Sequence, residues 1–403
     1  MSRSGRGHVS GPLAAYAEGF RVALSSRGYT WGSAAHQIHL MAHVSRWLAR
    51  TGLGPGDLTS VVVEQFVGDR RAAGYVHLIS VRAMAPLLGY LRGLGVVPPG
   101  VRANAGTPVE LAVDAYEHWL VAERALSAAS IRSYLRVARR FLRSLGAGED
   151  LALGTVEAAT VTQFVLAECH GRSAAWSKTT VTGLRSFLRY LYLDGQVSRP
   201  LSAAVPTAAS WRLAMLPRSI TEDQMSLLFT HCDRGSALGR RDAAILTVLL
   251  RLGLRAGEVA AAQLADIDWR RGEIVVRGKG GHREVLPLPA DVGQAIAEWL
   301  RYGRPGDAGG GAVFTRMRAP HDRLASSGIS AIVRRACRRA GVPVVGPHRL
   351  RHTTATQILV HGGSLEEIGQ VLRHARLATT ALYAKVNMPA LALVAQPWPG
   401  GQS

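Results

Sequence analysis

Apolar residues recur at helical spacing along most of this chain. Tyr134, Val137, Ala138, Phe141, Leu142 and Leu145 fall at i, i+3, i+4, i+7, i+8 and i+11, a stripe that predicts one buried helix face. Similar patterns predict about four helices in each of two successive stretches, and the two stretches resemble each other. YAEGF at Tyr16 is matched by YEHWL at Tyr116, and SRWLARTGL at Ser45 by RRFLRSLGA at Arg139. VEQFV at Val63 recurs as VTQFV at Val161, and GYLRGLGVV at Gly89 as RYLYLDGQV at Arg189. Four matches in the same order, about 100 residues apart, point to duplication of one helical unit.

The texture changes at Ser219. Ser219 or Thr221 is placed to cap a helix with Glu222 and Asp223 in its first turn. The apolar run RRDAAILTVLLRLGLRAGEV predicts a buried helix, a turn at Gly253 and a second helix from near Ala256. EIVVR and REVLPLP, joined by GKGGH, predict a β-hairpin with a Gly-rich tip. Further helices are predicted at 291–302, 326–340, 348–360 and 364–372. The fold class expected is mainly α with a small antiparallel β-sheet. Its divisions are a helical domain over 1–105, a second over 106–203, a linker over 204–218, a mixed α+β domain over 219–388 and a tail over 389–403. Pro98-Pro99-Gly100 to Pro108 marks the first joint, and the stretch from Leu201 to Arg218, with Pro206 and Pro217, marks the second.

Charge narrows the partner. Forty-eight basic residues against 28 acidic ones leave a formal charge of +20, which calls for a polyanion, and double-stranded DNA is the first candidate. Arg132, Arg136, Arg139, Arg140 and Arg143 fill the polar surface of the helix described above, and Lys178, Arg185 and Arg189 lie around the next basic one. A solvated face would mix both signs; a surface tracking a phosphate backbone would not. Ser177, Lys178, Thr179 and Thr180 read as the residues that precede and open that later helix, where phosphate binding and ordinary capping serve equally well. Only Lys178, Lys279 and Lys385 are lysines, so a lysine here marks a position where charge alone does not suffice. Cys169, Cys232 and Cys337 are widely spaced, with no paired-cysteine zinc pattern, which suits a reduced, cytoplasmic setting. No apolar run is long enough to span a membrane, and MSRSGRGHVSG reads as a short basic arm.

Six residues carry the candidate chemistry. Arg255 stands three positions before Glu258, a spacing that by itself describes a surface ion pair. Lys279 sits at the hairpin tip between two glycines. His348 and Arg351 are one helical turn apart, with Pro347 suited to the helix start. His374 follows the next helix, and Tyr383 comes nine residues later. Each has a bland structural explanation, and a lone helical tyrosine is usually core. Together, without a carboxylate pair, they suit in-line attack on a phosphodiester. Arginine forks stabilise the non-bridging oxygens of a pentacoordinate transition state. A histidine takes the tyrosine proton, a lysine or histidine protonates the departing 5′-oxygen, and the tyrosine becomes covalently linked to phosphate.

In these residues the sequence resembles the tyrosine recombinase (phage integrase) family, whose order is Arg, Lys, His-x-x-Arg, His or Trp, Tyr. That order falls on Arg255 in GLRAGEV, Lys279 in GKGGHREVLPL, His348 and Arg351 in PHRLRHT, His374 in LRHARLATTALY, and Tyr383, with Glu258 in the supporting acidic position. The resemblance covers roughly 219–388, and the region around 110–200 is similar in texture to the family's SAM-like core-binding domain. It implies site-specific cutting and rejoining of DNA through a 3′-phosphotyrosine, with no metal, ATP or other cofactor. It also implies a homotetramer acting on two recombination sites. Integration or transposition of a mobile element is the implied role, with other recombinases of the same element as candidate partners. A type IB topoisomerase activity and a non-cleaving accessory subunit are the alternatives. Two departures stand out. The family usually has glycine where this chain has Arg373, which leaves room for one more phosphate contact. The duplicated N-terminal unit resembles longer, transposon-borne members. The apolar segment from Ala390 to Ala395 suits docking, into a neighbour or onto its own chain.

Overall fold

A computed structural model describes residues 8–98, 106–124, 126, 128–146, 151–207, 219–278, 282–306 and 310–373. The regular elements described in the first half are helices: α1 (Ala17–Ser26), α2 (Trp31–Thr51), α3 (Ser60–Ala72) and α4 (Val81–Gly93), then α5 (Pro108–Arg124), α6 (Ala128–Ser144), α7 (Ala158–Cys169) and α8 (Ala174–Leu193). Three of the four sequence matches land on equivalent places. SRWLARTGL and RRFLRSLGA close α2 and α6. VEQFV and VTQFV lie in α3 and α7, where Val63, Val67, Val161 and Val165 are buried. GYLRGLGVV and RYLYLDGQV end α4 and α8, each followed by a left-handed glycine, Gly95 at φ 71° and Gly195 at φ 75°, and then by buried Val97 and Val197. The left-handed turn stops the helix and sends the next apolar residue back into the core. The tyrosine match does not hold. Tyr16 ends a 3-10 turn before α1, whereas Tyr116 is buried in the middle of α5.

The chain divides into two compact units, 1–55 with 69–96 and 213–403, and 56–68 with 97–212. In the second unit α5, α6, α7 and α8 pack around Tyr116, Phe141, Leu184, Phe187 and Leu188, all fully buried. Tyr116 donates its hydroxyl to Ser186 Oγ at 2.8 Å, which satisfies the one polar atom its burial would strand. Burial pushes the Tyr116 pKa up. Tyr190 is also pushed up, to about 12, by burial and by Asp194.

In the first unit, α9 (Glu222–Thr230) opens on a capping box between Thr221 and Gln224. It is followed by α10 (Ala237–Arg251) and α11 (Ala256–Ala261). Every residue from Arg241 to Leu250 is buried, so α10 is a central helix packed on α11, α12 (Ala290–Tyr302), α13 (Ser326–Arg339) and α14 (Pro347–Val360). α15 (Leu365–Val371) packs on α14. The predicted hairpin forms from β2 (Glu273–Arg277) and β3 (Arg283–Pro287), paired from Glu273↔Pro287 to Arg277↔Arg283. A third strand, β1 (Ile267–Asp268), pairs antiparallel with β2. Two residues are too few to show a strand period, so it was not legible in the sequence.

One ion cluster fixes α10 to α13. Asp242, 0% exposed, accepts from Arg241 Nη2 at 2.8 Å and from Arg339 Nη1 at 3.3 Å, with Arg335 Nη2 at 3.5 Å. Arg241 is itself buried, so removing the carboxylate charge leaves a buried cation uncompensated. Asp242→Asn is expected to lower unfolding stability by about 3–5 kcal/mol, read by denaturant melts. A loss below about 1 kcal/mol would show that solvent or a neighbour screens Arg241.

Candidate active site

The site begins where α10 stops. Gly253, at φ +56°, turns the chain toward α11, and a Cβ there would lie 2.7 Å from Leu372 Cδ2, so glycine meets both a backbone and a space requirement. Its carbonyl accepts from Nη1 of Arg351, whose Nη2 donates to the carbonyl of Leu372. Arg351 is 2% exposed. It reaches this place from α14, which is pinned by two threonines. Thr354 donates to the Leu250 carbonyl at 2.7 Å, and Thr353 Oγ1 accepts from the Ile220 amide at 3.0 Å. One guanidinium thus joins the end of α10 to the end of α15.

Arg255 follows two residues after Gly253, at the N-cap of α11, with its side chain 45% exposed. Glu258, 5% exposed at the side chain, accepts from the Arg255 amide at 2.8 Å and from Arg255 Nη1 at 2.7 Å. The i,i+3 pair is therefore more than a surface contact: a buried carboxylate orients an exposed guanidinium. Sequence spacing alone did not reveal a second cation on that carboxylate. Arg373 Nη2 donates to Glu258 Oε2 at 2.7 Å, and Arg373 Nε lies 3.4 Å from Glu284 Oε2 on β3. The Arg373 side chain is 7% exposed and turned toward these carboxylates, not outward as an added phosphate contact would be. Burial lowers its pKa, the two carboxylates act against that, and neighbouring Arg255 acts with it.

His348 lies exposed in the first turn of α14, its ring centroid 4.3 Å from that of His352. Lys279, His374 and Tyr383 lie outside the described residues, as do Lys385 and the segment from Ala390 to Ala395. The strands flanking Lys279 are described up to Gly278, whose amide donates to the His282 carbonyl at 2.7 Å. Of the six candidates, Arg255 and Arg351 thus converge on the Gly253 turn, and Arg351 and Arg373 hold the chain just before His374. An exposed arginine oriented by a buried carboxylate suits a phosphodiester that gains negative charge as it reacts.

Two family profiles match this chain. The phage integrase family profile matches residues 218–389, and that of the phage integrase N-terminal SAM-like domain matches 113–195. The integrase/recombinase y4rA of Sinorhizobium fredii is 40% identical over 394 residues, which cover 97% of this chain and 95% of that protein. The chain belongs to the phage integrase family of tyrosine recombinases. The tyrosine recombinase XerD of Mycobacterium tuberculosis is 30% identical over 297 residues, 70% of this recombinase and 94% of XerD. This recombinase therefore holds nearly all of a shorter relative plus additional chain, whereas y4rA matches it along almost its whole length. The solved post-cleavage complex of XerH with a palindromic difH substrate shares the fold, at a TM-score of 0.55 and 17% identity over 83% of this chain and 94% of that one.

The residues expected to touch DNA divide into two groups in the structure. Arg139 forms a bidentate pair with buried Glu110, both bonds 2.7 Å, and its pKa is raised chiefly by that pair. Arg143 lies 3.6 Å from the same carboxylate. Arg140 pairs with Glu168 and stacks 4.4 Å from the Trp176 ring centroid. Arg185 donates to the Val205 carbonyl at 2.8 Å and to Thr207 Oγ1 at 3.2 Å. Arg139, Arg140 and Arg185 are tied to neighbouring helices or to the segment after α8, whereas Arg143 keeps 59% of its side chain exposed; the carboxylates that face Arg139, Arg140 and Arg143 come from α5 and α7. Arg132, Arg136, Lys178 and Arg189 are exposed. The start of α8 needs a correction: Ser173, not Ser177, is its cap, so Ser177 and Thr179 lie inside the helix and donate back to the carbonyls of Ser173 and Ala175. Those hydroxyls are therefore already used within the helix. Among the described residues no helix is long and apolar enough to cross a membrane, and no group of three or more His, Cys, Asp or Glu could hold a metal ion.

Proposed function

We propose that this recombinase cuts and rejoins double-stranded DNA at a specific site through a 3′-phosphotyrosine at Tyr383, in the integration or transposition of a mobile element. The observation that supports this most is the convergence of Arg255 and Arg351 on the Gly253 turn, with Arg351 also holding Leu372, two residues before His374. In the reaction Tyr383 Oη bonds to phosphorus and the bond from phosphorus to O5′ breaks. His348 takes the tyrosine proton, Lys279 gives a proton to the departing O5′, and Arg255, Arg351 and His374 hold the non-bridging oxygens. The phosphotyrosine keeps the energy of the broken bond, so attack by a 5′-hydroxyl rejoins the strand. Four protomers on two sites complete the exchange, with Arg132, Arg136, Lys178 and Arg189 along the phosphate backbone. Action within the cytoplasm follows from the same reading.

A duplex carrying the ends of the encoding element, nicked so that the 5′ fragment diffuses away, tests this directly. A covalent protein–DNA adduct mapping to the peptide that contains Tyr383 is the expected product; its absence on every such end sinks the proposal. The proton donor is tested separately. Lys279→Arg keeps the charge but holds its proton too tightly, and is expected to slow cleavage about 100-fold or more. A 5′-thiolate leaves without protonation and should restore the rate. Without that rescue, the acid is another group.

A further inference from the structure

Arg373 stands where this family usually has glycine, and three local features oppose it. Its backbone is left-handed, at φ +53°. Its guanidinium is taken almost wholly out of water, with the side chain 7% exposed. Its Nη1 is buried without a hydrogen-bond partner. Glycine would avoid all three. Strained and desolvated groups persist where their surroundings over-determine them, and such places cluster at functional sites.

The contacts show what those surroundings are. Glu258 has one oxygen on Arg255 Nη1 and the other shared by the Arg255 amide and Arg373 Nη2. Arg373 Nε faces Glu284, on β3, five positions after Lys279 in the chain. The backbone of Arg373 immediately precedes His374. We propose that Arg373 is a positioning residue that ties together the segments carrying Arg255, Lys279 and His374. It acts through Glu258 on the first and through Glu284 on the second, and by its own place in the chain on the third. The Glu284 contact is half exposed and alone would hold the hairpin weakly. Shared with a buried carboxylate on the same guanidinium, it costs less ordering entropy, because the guanidinium is already fixed. The substitution of arginine for glycine thus exchanges an unstrained turn for a cross-brace among three separate pieces of the site.

This inference rests on the catalytic roles proposed above, so its test carries a readout that does not. In the DNA-free protein, Arg373→Gly is expected to raise amide hydrogen exchange across 273–287, since it removes the tie to β3 while suiting the local backbone. Unchanged protection there overturns the brace, whether or not the wild type cleaves DNA. On the nicked duplex, Arg373→Gly is expected to reduce the maximal rate of adduct formation about 100-fold, the order of loss that a misplacement near 1 Å brings. The half-saturating duplex concentration should move by less than about threefold, because this side chain does not face DNA. Glu284→Gln should lower the same rate, and adding it to Arg373→Gly should cause no further loss, since both remove one link. A wild-type rate in Arg373→Gly overturns the proposal. So does a defect confined to half-saturation, which would make Arg373 a DNA contact. Should the glycine variant not fold, Arg373→Lys, which keeps a cation but cannot bridge both carboxylates, is read by the same measures with smaller changes expected. If the wild type forms no adduct, the recombination reading fails and the exchange result still decides the brace.

Discussion

Tyr383→Phe protein is expected to bind its duplex with an affinity within about threefold of the wild type and to form no covalent adduct, a fall in cleavage of about 10,000-fold or more. The substitution removes one oxygen and leaves the aromatic ring. Affinity rests on cations along the phosphate backbone, which the substitution leaves in place. Nothing else in the proposed reaction can replace the oxygen: Arg255 and Arg351 stabilise charge, Lys279 donates a proton, and neither role creates a bond to phosphorus. The measurement is a denaturing gel of the nicked duplex, with a filter-binding titration beside it for affinity. An adduct that survives the substitution moves the nucleophile to another residue and ends the Tyr383 assignment. Loss of binding together with cleavage would instead place the hydroxyl in the DNA interface.

Much of this was legible in the sequence because it depends on local pattern. The helices of the first unit's C-terminal part lie within a residue or two of their predicted bounds, since apolar periodicity, the Thr221 cap and Pro347 act over a few positions. Arg255, Lys279, His348, Arg351, His374 and Tyr383 could be picked out by type and order. What pattern could not reach were partners far apart in the chain. Arg373 meets Glu258 across 115 positions, and Arg139 meets Glu110 across 29. Both arginines read as outward-facing phosphate contacts when only their own neighbours are considered. A buried carboxylate on another element turned each inward, because a desolvated Glu without a cation would be far costlier than an arginine withdrawn from solvent. In an arginine-rich chain, cation count therefore overstates the DNA-facing surface. The exposed set of Arg132, Arg136, Arg143, Lys178 and Arg189 is the better place to look for it.

Arg351→Lys is expected to be folded and nearly inactive, with the single-turnover cleavage rate down by about 100- to 1,000-fold at saturating duplex. Arg351 is a planar fork that reaches two carbonyls from different elements, Gly253 at the end of α10 and Leu372 after α15. A guanidinium has five N–H donors, so one such group can anchor to backbone and still address a phosphate oxygen. An ammonium is a single point with three donors on a flexible four-carbon stem. Serving either carbonyl draws it from the other, and serving phosphate draws it from both. The Leu372 carbonyl would then lose its hold on the chain before His374, so the variant disturbs two proposed groups at once. Stability is expected to fall by only about 1–3 kcal/mol, the range for stranding a buried carbonyl. Thr353 and Thr354 still pin α14 to Ile220 and Leu250, so the helix stays in place. The decisive comparison is between the rate and the melting curve. A rate within about threefold of wild type would show that the charge at this place, not the fork, is what the reaction uses. A collapse of the fold would make Arg351 a structural brace first, and leave Arg255 as the arginine on the phosphate.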